Sequence, residues 1–168
     1  GGSHLPDVTT VAPVFVDGAR VAFVAVRAHH AEIGGTRPGS FPPDARSLAE
    51  EGVVLEPFVA VRAGSFAADD CRARFASGPH PSRNPDENLA DLQAQLAATR
   101  HGVAQVGQLA RECGGGVGFS LRCEAELDRA DRALDRPSRP ARANAVEHLP
   151  AVLPFDEPHR EEHLAVLV

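Results

Sequence analysis

The sequence predicts an α+β fold, an incomplete fragment of a larger domain: a β-hairpin and further extended strands, then a long amphipathic helix, then a loosely structured C-terminal tail. Three observations carry this. Two β-branched runs, residues 8–16 and 19–26, flank Asp17-Gly18. A third apolar run lies within residues 53–61. From Asn84 onward the apolar positions fall three and four residues apart.

Asp-Gly between two β-branched runs signals a hairpin, because a type I′ turn needs positive φ at both central positions. Both faces of the two runs are apolar, as in strands covered on both sides. Pro13 has no N–H to give a ladder and suits an edge or a non-bonded position. If Asp17 and Gly18 are the whole loop, Val16 pairs with Ala19, Asp7 faces Ala28 and Pro6 faces His29. Alternation then places His4 and His29 on one face, and Asp7 with His30 on the other. A Gly/Pro-rich connection over residues 34–43 leads to the extended segment 53–61. Asn84-Pro85-Asp86-Glu87 reads as a helix start, with a cap, a proline in the first turn and a glutamate at the capping-box position. Leu89, Leu92, Leu96, Thr99, Val103, Val106, Ala110 and Cys113 then form a narrow apolar stripe. Gly102 and Gly107 within it cost about 1 kcal/mol each relative to Ala, so packing must hold this helix, as core or as subunit interface. Residues 121–134 suggest another helix, with Glu124, Glu126, Asp128, Arg129, Asp131 and Arg132 on a solvated face. Beyond Pro137, prolines at 137, 140, 150, 154 and 158 and few patterned apolar residues suggest an irregular tail.

At 168 residues the chain is the size of one domain, or of one domain with a tail. It has no Met, so a processed or truncated piece, or a partial reading frame, is expected. All 17 basic residues are arginine, the formal charge is -6, and no basic face is clustered, which argues against nucleic acid or an anionic membrane as partner. No apolar run approaches the roughly 18 residues of a bilayer span, and no signal-peptide pattern is present. Cys71, Cys113 and Cys123 lack C-x-x-C spacing and read as reduced thiols, which suggests a cytoplasmic protein.

The open end of the hairpin gathers His4, Asp7, His29 and His30. Pro6 interrupts regular pairing there, which can swing the Asp7 carboxylate round to join the imidazoles of His4 and His29. Two neutral imidazoles and one carboxylate are the ligand set of open divalent sites, with iron, manganese and zinc all compatible. The other reading is turn-capping polar residues, with Gly-Ser-His as the scar of a cleaved tag. The glycine-rich stretches 34–39 and 114–118 lack the lysine of a phosphate loop and read as turns. His159-Arg160-Glu161-Glu162-His163 fits the inverted zinc-protease pattern H-x-x-E-H, but the chain ends five residues later without a third ligand. A solvated acidic tail, or one from a shifted reading frame, are its alternatives.

The segments GGSHLPDVTTVAPVFVDG, AFVAVRAHHAEIGGTRPGSFPPDA and NPDENLADLQAQLAATRHGV resemble the hydantoinase B/oxoprolinase family, from Gly1 to about Gly114. That family includes N-methylhydantoinase and 5-oxoprolinase B components and subunits of acetone and acetophenone carboxylases. Ser3 stands for the family's usual Thr and Glu32 for its usual Asp, and the resemblance makes Gly-Ser-His native sequence. It covers a partial hydantoinase B-like domain (1–116), which a helix (117–136) and a Pro-rich tail (137–168), read from their own residue pattern, are expected to follow. It also implies a two-component enzyme. A hydantoinase A-like ATPase subunit uses ATP, bound on that partner only, to activate a small cyclic amide or ketone. The B component then completes hydrolysis of the lactam, or carboxylation of the ketone, at a divalent metal. The resemblance makes His4, Asp7 and His29 the metal ligands, with an upstream glutamate that has no counterpart here. His30 becomes the candidate catalytic proton carrier, or else a second-shell or core histidine. The fragment alone is expected to be inactive. A non-catalytic remnant of the same family is the competing reading.

Overall fold

In the computed structural model of the chain, residues 4–133 and 164–167 are described. The two β-branched runs form β1 (Asp7–Val16) and β2 (Ala19–His29), an antiparallel hairpin. Its turn has φ of 52° at Asp17 and 75° at Gly18, the doubly positive pattern that Asp-Gly predicts. Val16 pairs with Ala19 and Phe15 with Arg20, but Val14 pairs with Ala22. Val21 is therefore an extra residue, a β-bulge, and every pair beyond it moves by one. Asp7 faces His29 and Val8 faces Ala28. This corrects the register read from the loop alone, in which Asp7 faced Ala28 and Pro6 faced His29.

A short helix α1 (Leu48–Glu51) precedes β3 (Phe58–Arg62). The extended segment expected over 53–61 is thus a strand only from Phe58. Val53 and Leu55 are buried all the same, and the Val53 amide donates to the Ile33 carbonyl at 2.8 Å. A second tight turn, with φ of 47° at Ala63 and 75° at Gly64, leads into β4 (Ser65–Phe66). Helix α2 (Ala68–Phe75) buries Cys71 and Phe75. Burial, then the negative charge of Asp70, pushes the Cys71 thiol up to about 11, so it is an inert core group.

Helix α3 (Pro85–Glu112) begins as its sequence requires. The Asn84 side chain accepts from the Glu87 amide and donates to the Glu87 carboxylate at 3.0 Å, and Pro85 opens the first turn. Its inward stripe (Leu89, Leu92, Leu96) packs on Val8, Ala12, Ile33, Phe58, Ala60, Val61 and Phe75 to form the core, with Val103 alongside. Gly102 lies where a Cβ would meet the Val24 side chain at 2.8 Å, so its absence lets α3 approach β2. After a turn at Gly114 the chain forms α4 (Gly115–Ala133), which buries no residue.

Leu164–Leu167 forms β5, which lies between β1 and β3 and is antiparallel to both. The sheet order is β2-β1-β5-β3-β4. The H-x-x-E-H stretch, 159–163, lies outside the described residues, as does the rest of 134–163.

Candidate metal centre

The hairpin's open end is closed by a turn. The Asp7 amide donates to the His4 carbonyl at 3.1 Å, the Val8 amide to Pro6 at 2.9 Å, and the His30 amide to Pro6 at 3.0 Å. Proline at position 6 has no N–H to satisfy and a φ suited to a turn. The turn brings His4 back beside β2, with its ring centroid 5.9 Å from that of His29 in an edge-on contact. On its other side Phe41 meets His4 at 5.0 Å. Asp7 and His29, paired across the strands by the shifted register, join through Oδ1 and Nδ1 at 2.9 Å. One ligand atom from each of His4, Asp7 and His29 lies within 4.8 Å of the others. Three of the four residues singled out in the sequence therefore meet. Asp7 joins them because it shares the face of His29 through the bulge, and no swing of its carboxylate is required. The Asp7 side chain is 15% exposed and that of His29 55%, so the cluster is open on one side. Arg27, two residues before His29 on the same face, donates from Nε to the Thr9 hydroxyl at 3.1 Å.

His30 lies on the opposite face and is fully buried. Its ring stacks on Phe75 at 5.7 Å. The Asn88 amide nitrogen gives one proton to the Glu32 carbonyl at 2.7 Å and the other to His30 Nδ1 at 3.3 Å. That makes Nδ1 an acceptor and leaves Nε2–H to donate to Gln95 Oε1 at 2.9 Å. The Gln95 amide nitrogen in turn donates to the carbonyls of Val8 (2.9 Å) and Val26 (3.3 Å). Both ring nitrogens of His30 and the amide groups of Gln95 have partners, and the set ties α3 to β1 and β2 through the carbonyls of Val8 and Val26.

Glu32 fastens the next segment. Its carboxylate accepts from the Ser82 hydroxyl, from the amides of Gly34, Arg83 and Asn84, and from the Arg83 guanidinium. Burial acts to raise its pKa, but the hydroxyl and the backbone amides outweigh burial and hold the carboxyl below its ordinary value. Arg83 also reaches the carbonyls of Gly34 and Gly35. Both glycines have φ near 90°, and a Cβ would meet the His80 carbonyl at 2.2 Å or the Glu51 carbonyl at 2.3 Å. No other residue fits there. The amides of Gly34 and Gly35 are bonded to Glu32 and His80, which agrees with a structural turn over residues 34–39.

Asn88, Gln95, Ser82 and Arg83 were not singled out in the sequence. A signal existed: Asn88 and Gln95 lie four residues before and three after Leu92 and Leu92 and Leu96 are on the buried face, so two amides sit within an apolar stripe.

Residues 1–136 match the family model described as Hydantoinase B/oxoprolinase. The chain belongs to this family. It is 43% identical over 114 residues to the 5-oxoprolinase of Dictyostelium discoideum, a match that covers 68% of this chain and 9% of that protein. It is 41% identical over 125 residues to 5-oxoprolinase 1 of Arabidopsis thaliana, covering 70% of this chain and 10% of that one. The acetophenone carboxylase delta subunit of Aromatoleum aromaticum is 36% identical over 92 residues, 44% of this chain and 14% of the subunit. This hydantoinase B-family chain thus spans about a tenth of the 5-oxoprolinases it matches. No solved structure matches it. Among the described residues no helix is long and apolar enough to cross a membrane.

Proposed function

We propose that this chain supplies the ligand-bearing hairpin of a B-type subunit that hydrolyses a cyclic amide at a divalent metal, after a hydantoinase A-like ATPase partner has activated the substrate with ATP. The observation that carries the reading is the meeting of His4, Asp7 and His29 in a chain of this family. The donor set fits a divalent ion. Two imidazoles and a carboxylate suit manganese, zinc or iron(II). Donors about 2.1 Å from a common centre and at right angles are about 3 Å apart, and Asp7 Oδ1 and His29 Nδ1 already stand at 2.9 Å. When bound, such an ion supplies Lewis-acid polarisation of a carbonyl and acidification of water.

The chain's own residues hold and orient. Before an ion binds, the Asp7 carboxylate orients the His29 ring through Nδ1, and the turn through Pro6 presents His4. Phe41, 68% exposed beside His4, forms an apolar wall. Of the roles considered for His30, its burial and its two amide partners support positioning over proton transfer. The ATP step is assigned to the partner, and in this chain the amides of Gly34, Gly35 and Gly114 already bond to its own carbonyl and carboxylate oxygens.

The likeness to an acetophenone carboxylase subunit favours a second reading, a subunit of an ATP-dependent ketone carboxylase. Titrating manganese(II), zinc(II) and iron(II) into the chain by calorimetry tests the metal. Saturable binding that the His4→Ala variant loses is expected, and no binding of any of the three overturns the site. Assaying the full-length subunit with its ATPase partner, on a cyclic amide and on a ketone with bicarbonate, separates the two reactions.

A further inference from the structure

The family match ends at residue 136, and the sheet does not. β1 with β2 forms one half and β3 with β4 the other. Neighbouring strands lie about 4.8 Å apart, so the halves stand roughly 10 Å apart, too far to bond each other directly. β5 fills the interval. Thr9, Thr10 and Val11 pair with Leu167, Val166 and Ala165 on one side; Phe58, Val59 and Val61 pair with Val166, Ala165 and Leu164 on the other. The walls belong to the core: Thr10, Ala60 and Val61 are fully buried and Val11 nearly so. Emptied, the interval would leave two rows of backbone donors and acceptors without partners in the middle of the sheet. Such rows are the means by which a sheet captures an extended peptide.

We infer that the interval between β1 and β3 is a peptide-binding groove, separable from the strand now in it. Its ligand is an extended apolar segment antiparallel to both walls, supplied by residues 164–167 of this chain. Three observations support separability. Every described residue that forms the groove lies within the family-matched portion, and β5 lies outside it. Thirty residues of sequence, 134–163, separate β5 from the end of α4, so β5 is not joined to either wall by a short turn. Four residues of strand are also short enough to open without unfolding α3. The inference is independent of the metal reading.

The test uses the full chain with Ala165→Pro and Leu167→Pro, which together remove two backbone donors from one edge of β5. The probe is a fluorescein-labelled peptide of residues 161–168, read by anisotropy. The double variant should bind it one to one and at least about tenfold more tightly than the wild-type chain does, since the wild-type groove is filled. A peptide carrying the same two prolines should not bind. A wild-type dimer that the peptide dissociates would also support the groove, with the same segment supplied by a second copy. Should the proline variant lose its helical circular dichroism, Leu164→Gly with Val166→Gly keeps every backbone donor and should show the same capture, more weakly. Equal capture by wild type and variant, or capture by no folded variant, overturns the inference.

Discussion

His29 and His30 are neighbours in sequence and opposites in surroundings. His29 is more than half exposed beside Asp7, whereas His30 is sealed between Phe75, Asn88 and Gln95. Single substitutions should therefore separate binding from stability. His29→Ala removes one of the proposed ligands and should abolish metal affinity with little change in the thermal midpoint. His30→Ala leaves a cavity and strands two buried amides, at a cost of about 2 to 4 kcal/mol, and should lower affinity only mildly. Calorimetric titration beside thermal melts checks both, and equal losses of affinity would reverse the assignment of the pair. Glu32 gives a pH signature. Its carboxyl is held below the ordinary value of 4.5, against burial, chiefly by Ser82 and the amides of Gly34, Asn84 and Arg83. A depressed folded-state pKa contributes stability that is complete above the unfolded value and is lost as pH falls through the folded one. Glu32→Gln should therefore be less stable than wild type at neutral pH, and the two melting curves should converge below about pH 4.5. A difference that stays constant down to pH 3 would show that the charge of Glu32 contributes nothing.

The elements themselves were largely legible. Asp17-Gly18 gave the hairpin, Asn84-Pro85-Asp86-Glu87 gave the start of α3, and steps of three and four gave its buried face. Register was not legible, because nothing in Arg20-Val21-Ala22 marks which residue the partner strand will skip. The Ala63-Gly64 turn escaped notice because alanine rarely takes positive φ. β5 was not legible because its pairing partners lie more than a hundred residues away on β3 and more than a hundred and fifty on β1, beyond any local pattern. The bulge gives a direct test. Deleting Val21 removes the extra residue but leaves Asp7 opposite His29, so metal affinity should survive in a folded chain. Loss of affinity with the fold intact would show that pairing across the strands is not what assembles the cluster. Glycines of α3 give another. A Cβ at Gly107 meets Val14 at 3.7 Å, an ordinary contact, so Gly107→Ala should stabilise by about 0.5 to 1 kcal/mol through helix propensity. At Gly102 the same methyl meets Val24 at 2.8 Å, and overpacking should cancel or reverse that gain. Thermal melts of the two variants moving in the same direction by the same amount would refute the close approach of α3 to β2.

At the scale of the molecule, the site is open on one side. His4 and His29 are exposed, Phe41 is 68% exposed beside them, and α4 carries Val117 and Leu121 on its surface. The latter two line a groove with Phe23 on β2 at the turn end of the hairpin, the end away from the cluster. The reaction proposed above, through an ATP-activated intermediate, must keep water away until the intended attack, and an open cluster does not. The chain matches only about a tenth of the 5-oxoprolinases, so most of their length lies outside this alignment. The chain alone is therefore expected to bind a divalent metal weakly and to show no ATP-dependent ring opening. The same residues within a full-length subunit, supplied with the ATPase partner, should turn over, and His29→Ala in that assembly should not. Nucleotide hydrolysis and release of the ring-opened acid, measured together for chain alone, chain with partner and full-length subunit with partner, decide the matter. Turnover by the chain alone would mean that the three proposed ligands on a bulged hairpin suffice, and that the partner and the rest of a full-length subunit serve affinity or regulation instead of the chemical step.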